Sequence, residues 1–277
     1  MPMPDIVAAR GSVEAVSSTA FSSYIAIGDS FTEGVGDDLP DGRVRGWADF
    51  VALGMAAASP EPFRYANLAV RGRKLGPIVA EQVDPAIAQH PDLVSLNGGG
   101  NDIMRPRVDI GGVARTLMDA ADRVVASGSH MLLLSGANPS AHLPLGGLMR
   151  RRGEELAVAV REMLPREGIT FVDNWADEGL EDIRYWSADR LHLGPLGHAR
   201  VASNVLTALG IPVPEEWGVA VVAAAPPGER TRRTADYYRR YVLPWIGRRL
   251  TGRSSGDGRA AKIAELTVVD PESAHPL

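Results

Sequence analysis

An apolar run, Tyr24-Ile25-Ala26-Ile27, stops at Gly28-Asp29-Ser30-Phe31-Thr32-Glu33-Gly34, so a serine hydroxyl stands where a strand hands over to a helix. Far down the chain, Asp189-Arg190-Leu191-His192 supplies a carboxylate and an imidazole three residues apart. Nucleophile, base and orienting acid are the parts of a serine hydrolase. The imidazole accepts the serine proton, and the carboxylate fixes the ring tautomer and stabilises the imidazolium. The spacing therefore nominates Ser30, His192 and Asp189 as catalytic residues. Each has a plainer reading: Ser30 as a helix N-cap, and Asp189 with His192 as a surface ion pair or a helix-start contact.

Acyl transfer also needs donors for the oxyanion that forms, and losing one such donor costs ~3 kcal/mol of barrier stabilisation. Three candidates lie in order along the chain. The Ser30 amide sits at a helix start, where free N–H groups and positive potential coincide. Gly72 follows a second strand-like run, and its N–H is open to a small anion. Asn101 ends Asn97-Gly98-Gly99-Gly100-Asn101-Asp102, where the glycines permit close backbone approach and leave a side-chain amide exposed. Gly72 and Asn101 could equally be ordinary turn or cap residues. Asp29 reads as a turn-stabilising carboxylate, His198 as structural, and His90, His130 and His142 as core-edge or surface residues.

Groups so far apart in sequence act together only if the fold gathers their loops at one rim. Short apolar runs bounded by Gly, Asn, Asp or Pro recur at Tyr24–Ile27, Arg64–Leu68, Leu93–Leu96, Met131–Leu134 and Thr170–Val172. Helical periodicity fills the gaps at Gly46–Ala58, around Ile78, Val83 and Ile87, at Val108–Ala126, Leu148–Leu164 and Pro195–Leu209. Alternation of this kind predicts an α/β domain with a parallel sheet of five strands covered on both faces. Ligands of such sheets bind beyond the carboxyl ends of strands, where Ser30, Gly72 and Asn101 all fall.

The chain of 277 residues carries a formal net charge of −5 and no cysteine, which excludes disulfides, thiolate catalysis and cysteine-based zinc sites. Residues 1–22 read as a loose lead-in without the apolar core of a secretory signal, and no segment is long and apolar enough to span a bilayer, so the expected location is cytoplasmic. The hydrolase domain is placed at residues 23–213. A basic, aromatic arm follows over residues 214–252. Residues 230–253, reaching one residue past it, hold eight arginines against the single acidic Asp236, beside Tyr237, Tyr238, Tyr241 and Trp245. The arm is expected to pack on its own domain or on a neighbouring subunit, with Pro244 and Trp245 as anchors; it could also touch a membrane surface peripherally. Residues 253–277 read as a flexible tail.

These motifs together resemble the GDSL-type esterases and lipases of the SGNH-hydrolase superfamily, whose four name-giving residues map onto Ser30, Gly72, Asn101 and His192. The first block reads Gly28-Asp29-Ser30 with Phe31 in place of leucine. The second is Asn67 with Gly72 five residues on, the third Gly99-Gly100-Asn101-Asp102, and the last Asp189 to His192 followed by Leu193. The likeness spans about residues 24–210; Arg73 departs from it, since a small hydroxyl residue often follows the glycine of the second block. The resemblance implies a three-layer α/β/α sandwich with a flavodoxin-like sheet, no metal or organic cofactor, and hydrolysis of carboxylic esters through an acyl-serine. Because of Arg73 the family's acyl preference does not carry over; short acyl chains or acetyl groups are expected. No nucleic-acid partner is expected. Two rivals stand beside it. One is a metal-dependent phosphoesterase built on Asp29, Asp37, Asp38, Asp102, Asp189, His192 and His198; the other is a non-catalytic carbohydrate- or lipid-binding relative of the fold.

Overall fold

The computed structural model describes residues 21–144, 146–217, 235–243 and 255–273. Most of the lead-in and the proposed anchors Pro244 and Trp245 lie outside the described residues. Strand β1 (Ser23–Ile27) is buried along its whole length, as a strand covered on both faces must be. It passes through Gly28 and Asp29 into α1 (Ser30–Glu33), and α2 (Trp47–Ala58) leads to β2 (Arg64–Asn67). Next come α3 (Leu75–Ile78), a π-helical turn over Val79–Val83, α4 (Asp84–Ile87) and β3 (Leu93–Asn97). Then follow α5 (Gly100–Ile103), α6 (Ile110–Ala126), β4 (His130–Leu134), α7 (Gly146–Arg161) and β5 (Ile169–Val172). Helix α8 (Pro195–Ala208) begins with proline at its first position, where a missing N–H costs nothing. The short α9 (Ala235–Tyr237) runs into a second π-helical turn, Tyr238–Val242, and β6 (Ile263–Val268) comes last.

The sheet order is β5-β4-β3-β1-β2-β6, with β1 to β5 mutually parallel. From β1 the chain steps one way to β2, then returns across β1 to β3 and continues outward. Right-handed crossovers made in opposite directions place their helices on opposite faces. Helix α2 thus packs with α8 on one side, and α6 with α7 on the other, giving three layers. The amphipathic α6 shows why: Asp109 caps it through the Gly112 N–H at 2.9 Å, and Ala114, Leu117, Met118, Ala121 and Val124 bury one stripe.

The expected sheet of five strands is corrected to six. Residues assigned to a flexible tail supply β6, which pairs antiparallel with β2 across an irregular register at Tyr65 to Asn67. Only Ile263 in this strand is buried, so its pattern lacks both the continuous apolar run of a central strand and clean alternation. Lys262, just before it, donates to the buried Asp49 carboxylate and to the Glu33 carbonyl, tying the strand to α1 and α2.

Reversal of strand order beside β1 creates a crevice between the carboxyl ends of β1 and β3, the position where open α/β sheets bind ligands. Ser30 follows β1 and Asn101 follows β3. Topology therefore brings the first and third motifs together.

Candidate active site

Gly28 makes the turn from β1 to α1 possible. Its φ is 155°, and a Cβ there would lie 2.7 Å from the Asn97 carbonyl oxygen, so the β1 and β3 ends close only around glycine. The Gln82 amide clasps the same residue, accepting from the Gly28 N–H at 2.7 Å and donating to its carbonyl at 3.0 Å. Asp29, rather than Ser30, is the N-cap of α1: its Oδ1 accepts the Phe31 N–H at 3.1 Å. That leaves Ser30 at the first helical position with its hydroxyl free for other work.

The loop that carries Asp189 and His192 is built by local bonds. Trp186 and Leu193 bridge across its base, Ser187 N–H donates to the His192 carbonyl at 2.9 Å, and Arg190 turns the chain with φ of 61°. Inside it, Asp189 Oδ1 accepts the Ser187 hydroxyl at 2.8 Å and the Leu191 and His192 amides at 2.9 and 3.0 Å. Asp189 Oδ2 lies 2.6 Å from His192 Nδ1, and His192 Nε2 lies 3.1 Å from Ser30 Oγ. A carboxylate only accepts, so Nδ1 carries the imidazole proton and Nε2 is left to accept from the serine hydroxyl. Burial alone raises the Asp189 carboxyl, but hydrogen bonds from the His192 ring and from the loop amides outweigh it and hold the group well below the usual carboxylate range.

The candidate oxyanion donors are less uniformly placed. Among the described residues, the Ser30 and Gly72 amides donate to no protein group. Gly72 adopts φ of 75°, and its loop is pinned by Glu33, which accepts the Arg71 N–H at 2.6 Å and the Arg71 side chain at 2.8 Å. Asn101 differs: its amide donates to Asp29 Oδ2 at 3.0 Å and to the Arg73 carbonyl at 2.9 Å, so both hydrogens are occupied. Ser30, Asn101 and His192 line one cavity, whereas Gly72 is not among its lining residues. Asn67, between these motifs, is scaffold, donating to the Thr32 carbonyl and the Tyr65 hydroxyl and accepting the Ala69 N–H.

Burial pushes the Asp29 carboxyl up to about 6, against the opposing Phe31 hydrogen bond and the nearby His192. His198 is fully buried, as a structural histidine should be: its Nδ1 accepts the Trp47 N–H at 3.2 Å and its Nε2 faces the Val35 carbonyl at 3.4 Å. Burial drives it down to about 3. Two of the residues that suggested a metal centre are taken up elsewhere in the fold. Asp37 pairs with Arg45 at 2.8 Å, and Asp102 accepts the Leu75 N–H at 2.9 Å. Among the described residues no three His, Cys, Asp or Glu side chains are placed to hold one ion.

One contributor is invisible in the motifs. The Tyr237 hydroxyl donates to the Asp189 carbonyl at 3.1 Å, and the Arg190 guanidinium lies over the Tyr237 ring, 4.6 Å from its centre. A buried tyrosine from the basic arm thus fastens the loop that carries Asp189 and His192. An arm rich in aromatics is the only sequence signal for it.

A strand-end serine, a histidine and an aspartate thus stand in hydrogen-bonding series at the switch point of a three-layer sheet of the SGNH-hydrolase fold. The chain belongs to the GDSL-like lipase/acylhydrolase family, whose model matches residues 26–200, and it is a carboxylic ester hydrolase. A search of curated proteins finds no match. Among solved structures it is similar to the lipase Lip_vut3 from a goat rumen metagenome, at 18% identity and a TM-score of 0.59, covering 69% of this chain and 99% of that one. It is also similar to the acetylxylan esterase Axe2 from Geobacillus stearothermophilus, at 21% identity and a TM-score of 0.55 over 70% of this chain and 96% of that one. TesA matches at 23% identity and a TM-score of 0.55, over 68% and 97% respectively. At these identities the likeness is one of fold. Among the described residues, no helix is long and apolar enough to cross a membrane.

Proposed function

We propose that this chain hydrolyses carboxylic esters through an acyl-serine on Ser30. His192 takes the serine proton as Oγ attacks the acyl carbon, and returns it to the departing alcohol. It then takes a proton from water for the second half. Asp189 keeps the imidazole in the required tautomer and balances its charge. The Ser30 and Gly72 amides hold the oxyanion together with Asn101, whose amide exchanges one of its present partners for the substrate oxygen.

The single observation that carries this reading is the unbroken series Asp189 Oδ2 to His192 Nδ1 at 2.6 Å and His192 Nε2 to Ser30 Oγ at 3.1 Å. A fluorophosphonate probe should label Ser30 stoichiometrically, and Ser30→Ala should abolish both labelling and aryl-ester turnover while leaving the circular dichroism spectrum unchanged. Turnover persisting in a folded Ser30→Ala protein would refute the assignment.

A further inference from the structure

The cavity that opens at Ser30 and His192 does not end there. It encloses about 130 Å³ and continues between the sheet and the α6–α7 layer, where Leu117, Leu133, Leu156, Val160 and Phe171 form its walls. Leu117, Leu133 and Val160 are buried core residues, so the space reaches the interior. Along α7 the lining positions Met149, Gly153, Leu156, Ala157 and Val160 recur at helical spacing, a stripe about 16 Å long at the helical rise of 1.5 Å per residue. Gly153 makes room for a second wall: the Trp175 ring lies where a Cβ at that position would have been, 2.1 Å from the nearest ring atom. Three polar side chains on the lining are turned to the protein, while the buried Trp175 indole N–H has no partner among the described residues. Asn97 donates to the Leu134 carbonyl, Ser135 to Asp173, and the Trp186 indole to the Leu180 carbonyl.

We infer that this chamber takes the acyl chain of the substrate, and that the preferred esters carry unbranched acyl groups of medium length rather than acetyl. The inference rests on the acyl-serine reading above and gives it a substrate class. An acetyl group bound to Ser30 occupies only the mouth and leaves an apolar hollow behind it. Such hollows stay dry and favour apolar occupants. A linear hydrocarbon attached to the reacting carbonyl enters the hollow directly, and each methylene it buries is worth about fourfold in kcat/KM, the equivalent of ~0.8 kcal/mol. Hydroxylated acyl groups meet a largely apolar wall, in which Asn97, Ser135 and the Trp186 indole are already engaged.

Two measurements test the inference. For p-nitrophenyl esters from acetate through butyrate, hexanoate and octanoate to laurate, kcat/KM should climb about fourfold per methylene until the chamber is filled, and then fall. A profile that is flat or declines from acetate would overturn the inference. Sodium octanoate titrated into Ser30→Ala protein should shift the emission of Trp175 and Trp186 saturably, whereas acetate should not; no saturable shift would overturn it as well. This second measurement needs no turnover, so octanoate binding without fluorophosphonate labelling would sink the acyl-serine reading and leave the chamber standing. Ala157→Phe, if it folds, should lower the octanoate-to-acetate ratio of kcat/KM by about tenfold or more.

Discussion

Two histidines six residues apart in the chain end up in opposite circumstances. His192 sits on a loop, partly exposed, with Nδ1 committed to a carboxylate and Nε2 aimed at a serine hydroxyl. His198 sits inside α8, with Nδ1 committed to the Trp47 amide and Nε2 facing a backbone carbonyl. The proton therefore resides on Nδ1 in the first and on Nε2 in the second. Only the first has a free lone pair beside a nucleophile and a neighbouring negative charge to stabilise it once protonated. Partner and burial, rather than residue type, separate the proposed base from the strut.

The largest effect that could break this comparison comes from His192→Ala, expected to lower kcat roughly a million-fold, the scale seen when a triad histidine is removed. Steady-state hydrolysis of an aryl ester measures it; a loss under a hundredfold would make His192 an accessory. Asp189→Asn should follow at about ten-thousand-fold, because the amide favours the wrong tautomer of the ring. His198→Ala should act on stability alone. It leaves a cavity and an orphaned Trp47 N–H at a cost of about 2–4 kcal/mol in urea denaturation, while the folded protein keeps its turnover. His198→Asn, which sets a carbonyl oxygen near the Nδ1 position, should recover part of the loss.

Acid titration sharpens the contrast. With its folded pKa lowered to about 3, His198 binds a proton more readily when unfolded, so its stabilising share is complete above about 6.5 and is lost as pH falls toward 3. Asp29 runs the other way. Its folded pKa is raised to about 6, so its share is complete below about 4 and is lost as pH rises through 6. Removing His198 should flatten the acid limb of the stability curve between pH 6.5 and 3, and Asp29→Asn should steepen it between pH 4 and 6. The smallest effect belongs to Tyr237→Phe, which removes one hydrogen bond to the Asp189 carbonyl. A several-fold fall in kcat at unchanged KM is expected, matching about 1 kcal/mol.

What could be read in advance divides along physical lines. Strand β1 and the motifs at the ends of β1 and β3 announce themselves because a doubly covered strand is continuously apolar and the turns after it demand particular residues. The parallel layers follow from alternation, and the proposed triad is nominated by residue type and spacing. Strand β6 escaped because an edge strand with one buried residue has no period to detect. Tyr237 escaped because a single long-range hydrogen bond leaves no local pattern. The double engagement of Asn101 and the chamber beneath Ser30 depend on how separate elements approach one another, which no spacing within a motif encodes.

The most direct test is rapid-quench mass spectrometry with p-nitrophenyl octanoate. Acid quenching in the first turnovers should recover an octanoyl adduct on the peptide containing Ser30, absent in His192→Ala and present in His198→Asn. Full ester turnover with no adduct on Ser30, or with the adduct on another side chain, would contradict the account.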